Sequence, residues 1–136
     1  MHSTGASSRR RRIRLLVAVV LTITVGLSTH FLGNGPLAAL AGDALYAVMV
    51  YLVIAFVFPR ARPLVVALGA LGICTLIELF QLTGLPALWA ETLWPIRLVL
   101  GAGFDPLDLV AYAVGVGLAT VCDLALSRSA HAPVRA

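Results

Sequence analysis

Four apolar runs of near-membrane length, parted by short breaks, constrain this chain more than any other feature. The first runs from Ile13 to Leu32, interrupted only by Arg14 at its base and His30 near its end. About 20 such residues in a helix cross roughly 30 Å of hydrocarbon. Gly33-Asn34-Gly35-Pro36 is a turn signal, and residues 37–41 read as a short apolar loop. Further spans are expected at about 42–58, 63–82 and 106–126, with Pro59-Arg60-Ala61-Arg62-Pro63 between the second and third. Lipid cannot satisfy backbone polar groups, so apolar spans of this kind must be helical. The expected fold is therefore all-α: an integral membrane bundle of four transmembrane helices over residues 13–126. With 60% apolar and 12% charged residues, the chain lies far from the roughly 45–50% and 25% of a soluble domain.

Residues 83–105 are still apolar but are broken by Pro86, Pro95, Glu91 and Arg97. Trp89 and Trp94 suit the headgroup layer, where indoles concentrate. This stretch reads as a short interfacial or re-entrant helix between the third and fourth spans. Residues 1–12, small, polar and basic, read as a disordered cytoplasmic tail, and residues 127–136 as a second cytoplasmic tail.

Arginine sets the orientation. Arg9, Arg10, Arg11, Arg12, Arg14, Arg60, Arg62, Arg128 and Arg135 fall on one side of a four-span arrangement, and Arg97 alone falls on the other. The positive-inside rule places both termini in the cytoplasm. The net charge of +4 thus reports membrane insertion and not nucleic-acid binding. All ten Lys+Arg positions are Arg, in keeping with a GC-rich bacterial genome and a multi-pass protein of the bacterial plasma (inner) membrane. A rival reading makes residues 1–41 a cleaved signal: Ser8-Arg9-Arg10 resembles part of a twin-arginine signal, and Ala39-Leu40-Ala41 has a small-x-small form. The first apolar run is longer than the usual signal core of about 7–15 residues.

The acids gather on the side opposite the arginines: Asp43, Glu78, Glu91, Asp105 and Asp108. A carboxylate at the centre of a span costs about 2.5–3.5 kcal/mol on insertion scales. Asp43 after Gly42, and Asp105 before Pro106, suit helix starts, where carboxylates cap free N–H groups. Asp108 suits the acidic third position of such a start. Glu78 lies near a helix C-terminus, where the dipole disfavours an anion, so capping does not account for it. Gln81 shares its face, Tyr112 shares the face of Asp108, and His30 reaches the same layer. Each of these three is also explained by polar contacts between helices. The candidate polar site is Glu78, Asp108, Asp43, Gln81, Tyr112 and His30, with Glu78 and Asp108 at its centre. Asp123, near the cytoplasmic end of span four, lies beside Arg128 and pairs there or faces water.

Ala111, Gly115 and Ala119 repeat at every fourth position, and Gly69 and Gly72 mark the third span. Such faces allow close helix approach and are expected to draw Asp108 toward Glu78. Cys74 and Cys122 lack CxxC spacing and read as buried free thiols. The chain has no HExxH, no Gly-rich phosphate loop and no Ser-His-Asp set with plausible spacing, so no cofactor and no metal motif is expected. Nor does it show the inverted halves of a transporter.

Gly42-Asp43-Ala44-Leu45-Tyr46, Ile77-Glu78-Leu79-Phe80-Gln81, Leu100-Gly101-Ala102-Gly103-Phe104 and the segment from Asp108 through Tyr112 to Gly115, in that order, resemble the bacterial domain-of-unknown-function family 2809. That resemblance covers roughly residues 13–125 and implies a small four-span membrane protein. It implies that Asp43, Glu78, Gln81, Asp108 and Tyr112 match motif positions, and it brings no activity. The Glu-x-x-Gln before an Asp that opens the next span is also distantly similar to VanZ-like proteins, a family linked to glycopeptide resistance.

Three functions fit this sequence. The first is a binding or accessory protein of the cell envelope, whose outward-facing acids hold a cationic headgroup, a cation or another membrane protein. The second is a small membrane enzyme acting on lipid-linked or cell-wall substrates, with Glu78 as general acid or base and Asp108 as its partner. The third is an oligomeric channel or transporter subunit. In each the lipid bilayer is a partner.

Overall fold

The computed structural model describes residues 3–101 and 103–129. These form helices α1 (Ser3–Leu32), α2 (Pro36–Val57), α3 (Pro63–Gln81), α4 (Leu85–Thr92), α5 (Trp94–Leu100) and α6 (Pro106–Ser129). Each helix after α1 has proline at its first or second position. Proline is tolerated there because the first N–H groups of a helix have no internal partner, and its fixed φ suits the helix. Prolines therefore punctuate this chain without interrupting its spans.

Four helices, α1 from Arg9, α2, α3 and α6 to Ser127, are long and apolar enough to cross a membrane. Their outward faces carry large exposed apolar side chains such as Leu64, Leu68, Leu76, Val110, Val114 and Leu118. Large contiguous apolar surfaces of this kind are rare on soluble monomers and suit lipid contact. The chain is a multi-pass membrane protein.

Four expectations change. Residues 37–41 are helical, so the second span begins at Pro36 and not at Gly42. Once Gly35 ends the turn, Leu37-Ala38-Ala39-Leu40-Ala41 holds strong helix formers and no breaker. Asp43 is thereby carried two turns into α2 and is no helix cap. Residues 3–12, expected to be disordered, continue α1; arginine is a good helix former. The connection between the third and fourth spans contains two short helices, α4 and α5, with Leu93 between them. Of the second expected tail, Ser127–Ser129 extend α6, and residues 130–136 lie outside the described residues.

Helix α2 is central and packs against α1, α3 and α6, while α6 also packs on α3. Its buried face repeats at four-residue spacing, Ala47, Tyr51 and Ala55, and meets Val66, Ala70 and Cys74 of α3 and Tyr112 and Val116 of α6. Helices α2 and α6 meet backbone to backbone. A Cβ added to Gly115 would collide with the Ala44 carbonyl oxygen and lie 2.9 Å from its carbon. The small-residue face of α6 thus seats on α2, not on α3 as expected. Cys74 is buried, but Cys122 is exposed on the lipid-facing side of α6, correcting its expected burial.

At the opposite end, Arg11 ties α1 to the bundle. Its guanidinium donates to the Pro59 carbonyl and to Asp123 at 3.1 Å, and Tyr51 donates its hydroxyl to the same carboxylate at 3.0 Å. Asp123 therefore pairs with Arg11 from α1; the Arg128 side chain, its expected neighbour, lies outside what the structure describes. Gly115→Ala is expected to lower the midpoint of thermal unfolding in detergent, although alanine is the better helix former. Overpacking costs of about 1–3 kcal/mol exceed that gain. An unchanged or raised midpoint would show that α2 and α6 are not in backbone contact.

Candidate functional site

The contact at Gly115 also places the acids. Asp108 precedes Gly115 by seven residues and so shares its helix face, while Asp43 directly precedes Ala44. The Asp43 and Asp108 carboxyls come within side-chain hydrogen-bonding range of each other. Asp108 thus meets Asp43 on α2, and not Glu78 on α3 as its primary neighbour.

Glu78 is fully buried. Its Oε1 accepts the Asp105 N–H at 2.7 Å, and its Oε2 accepts the Tyr112 hydroxyl at 3.2 Å. Asp105 in turn accepts the Leu107 N–H at 2.9 Å, as expected of a residue capping α6. Glu78 therefore fastens the start of α6 to the end of α3. Hydrogen bonds to a charged group contribute about 1.5–3 kcal/mol each, which offsets part of the cost of burying a carboxylate.

Gln81, one turn further along α3, organises the connector. Its Nε2 donates to the Leu100 carbonyl at 2.6 Å, and Tyr46 of α2 donates its hydroxyl to the Val99 carbonyl at 2.8 Å. These bonds satisfy carbonyls at the C-terminal end of α5 that the helix leaves open. The chain then turns at Gly101, with φ of 68°. A Cβ there would be strained and would collide with Gln81 Nε2. Because the Leu100 carbonyl takes the amide nitrogen, the amide oxygen is fixed on the other side. That oxygen is buried and has no hydrogen-bond partner.

A cavity of about 670 Å³ opens between α1, α2, α3, α5 and α6 at this end of the bundle. Asp43, Asp108, Gln81, Tyr112 and His30 line it, together with Tyr46 and Arg97. Five of the six residues singled out in the sequence meet here. Glu78 is not among the lining residues and stands behind Tyr112. His30 is exposed and meets the Phe31 ring edge-on, with centroids 5.1 Å apart. Tyr46 and Tyr112 approach at 6.5 Å between ring centroids. Apolar side chains from α1 and α2, including Ile23, Leu27, Leu45 and Met49, complete the wall.

Sequence reasoning gave no site role to Tyr46 and Arg97. Tyr46 lies three positions after Asp43 and hence on its face. Arg97 is the single arginine on the acidic side. Both signals were available. Among the described residues, no three His, Cys, Asp or Glu side chains converge as metal ligands.

A helical bundle of four apolar spans with a cavity at one end places the chain among small multi-pass membrane proteins. The family described as protein of unknown function (DUF2809) matches residues 32–116. The chain belongs to that family. The matched stretch begins at the end of α1 and ends one residue after Gly115, so it contains every lining residue of α2, α3, α5 and α6. No solved structure matches the chain.

Two substitutions test the frame of this site. Glu78→Leu is expected to lower stability in detergent by roughly 1–3 kcal/mol, because it strands the Tyr112 hydroxyl and the Asp105 N–H. Gly101→Ala is expected to expose the 83–105 connector to limited proteolysis while leaving helix content by circular dichroism unchanged. A protease-resistant connector in Gly101→Ala would show that Gln81 does not hold it.

Proposed function

We propose that this protein is a binding protein of the bacterial plasma membrane, with both termini cytoplasmic and the cavity at the outer face, that holds a cationic amine. One observation carries the reading: two carboxyls from different spans, Asp43 and Asp108, face each other on the wall of a ligand-sized cavity. Ionisable groups inside a membrane characteristically pair with opposite charge. Where both are ionised, their repulsion strengthens as water is excluded. A positive charge seated between them removes it; one shared proton also relieves it.

The cavity volume of about 670 Å³ falls within the roughly 300–1,000 Å³ of small-molecule sites. Its mixed wall, apolar on α1 and α2 and acidic between α2 and α6, suits an amphiphile with a cationic head. An organic cation is favoured over a metal ion, since two carboxyls without a third ligand make a poor cage for a hard cation. A binding role is favoured over catalysis, because Glu78 sits behind Tyr112 with both oxygens engaged. The orientation rests on the arginine distribution. The surplus lies at the end opposite the cavity, and Arg11, which binds Asp123, belongs to it.

Dodecylammonium is the direct probe of the acid pair. The detergent-purified protein is expected to bind it saturably, followed by fluorescence of Trp89 and Trp94, and to bind dodecyl sulfate no better than an empty micelle does. Asp43→Asn with Asp108→Asn is expected to weaken the ammonium probe by at least about tenfold. Equal affinity in the double variant would remove the cation reading. For orientation, Gly103→Cys in a Cys122→Ser background is expected to react with a membrane-impermeant maleimide in intact cells. Labelling only after permeabilisation would invert the topology.

A further inference from the structure

The end of the bundle opposite the cavity gathers charge of the other sign. Arg9, Arg10, Arg12, Arg14, Arg60 and Arg62 are all exposed there. Of the chain's acids only Asp123 belongs to that end, and Arg11 occupies it at 3.1 Å. Among the described residues, none of the exposed arginines at this end forms an ion pair.

Two contacts bring the arginines of α1 beside those of the loop between α2 and α3. Arg11 donates to the Pro59 carbonyl, and the Arg12 guanidinium stands 5.9 Å from the centroid of the Phe56 ring. Arg60 follows Pro59 directly, and Arg62 closes the loop before α3. Arg9 lies three positions before Arg12 and shares its face. Two stretches far apart in the chain thus form one basic rim. Like charges gathered in this way repel, and no side chain of the fold offsets them.

The surroundings narrow what does. Ile13, Leu16, Phe58 and Leu64 flank these arginines in the chain, and all four are exposed. A polyanion in water would leave those side chains bare. A phospholipid covers both kinds of surface, with its acyl chains along the apolar side chains and its phosphate on the guanidiniums. Each guanidinium is a planar donor fork that fits phosphate oxygens, and basic clusters at the end of a span attract anionic lipid. We propose that Arg9, Arg12, Arg60 and Arg62 seat the headgroup of an anionic phospholipid between α1 and the α2–α3 loop. Helix α1 packs along α2 alone, so a phosphate shared across this rim ties α1 to the bundle beside Arg11. The acid pair at the other end plays no part in this seat.

The experiment uses the full chain in phosphatidylcholine nanodiscs, titrated with phosphatidylglycerol of the same acyl chains. Lipid retained on the protein is counted by native mass spectrometry. Binding is expected to saturate at a fixed stoichiometry. It is expected to weaken by at least about tenfold in Arg60→Gln with Arg62→Gln, and likewise in Arg9→Gln with Arg12→Gln. Arg97→Gln removes the same charge at the cavity end and is expected to leave this binding unaffected. Phosphatidylglycerol is also expected to raise the midpoint of thermal unfolding of the unaltered chain, and not that of the loop variant, whose helix content by circular dichroism stays unchanged. Uptake that never saturates, or that falls as much in Arg97→Gln as in the loop variant, would overturn a defined seat. Water-soluble glycerol phosphate is expected to compete poorly; competition at the lipid's own affinity would overturn the lipid source. A single-stranded oligonucleotide that displaces the lipid at lower concentration would overturn it in favour of nucleic acid.

Discussion

The backbone contact between Gly115 of α6 and Ala44 of α2 is the constraint on which the cavity end of this bundle depends. A side chain at Gly115 would meet the Ala44 carbonyl, so the two helices lie as close as their backbones allow. In a bilayer, helix association gains little from hydrophobic burial, because lipid tails are as apolar as the side chains they replace; close packing of small residues does that work. The adjoining residue on α2 is Asp43, and Asp108 lies seven positions earlier on α6. Two carboxyls are thereby brought together by a backbone contact that involves no polar side chain.

The polar groups around that contact divide by the company they keep. Glu78 is satisfied by Tyr112 and Asp105 and holds α3 to α6. Gln81 and Tyr46 hold α5 through the carbonyls of Leu100 and Val99. Asp123 is satisfied by Arg11 and Tyr51 at the far end. Asp43 and Asp108 meet each other, and both line the cavity. The polar groups bonded to backbone or to opposite charge build the frame, and the pair of like groups stands on the cavity wall.

The bundle was legible because its cause is local. Apolar runs of span length and prolines at helix starts act within a few residues, and each is visible in the sequence. The layer of the site was legible too: five of the six residues singled out line one cavity. What failed was the pairing within that layer. Glu78 drew attention because no capping role explains it, yet its explanation is a distant one, the Tyr112 hydroxyl and the Asp105 N–H. Asp43 could be read as a cap as well as a site residue because the start of α2 was placed six residues too late. The partner of Gly115 was assigned to α3 because spacing shows which face of a helix is small but not which neighbour that face meets. Arg11 and Asp123, far apart in the chain, escaped notice for the same reason.

The central claim is that the Asp43–Asp108 pair holds a cationic nitrogen. Its most direct test is a solid-state NMR dephasing measurement between ¹³C-labelled aspartate carboxyls and ¹⁵N-labelled dodecylammonium, on otherwise unlabelled protein in bilayers. The account predicts dephasing of aspartate carboxyl signal that disappears in Asp43→Asn with Asp108→Asn and persists in Asp123→Asn. Full aspartate signal with no dephasing, in bilayers where the amine is abundant, would contradict it.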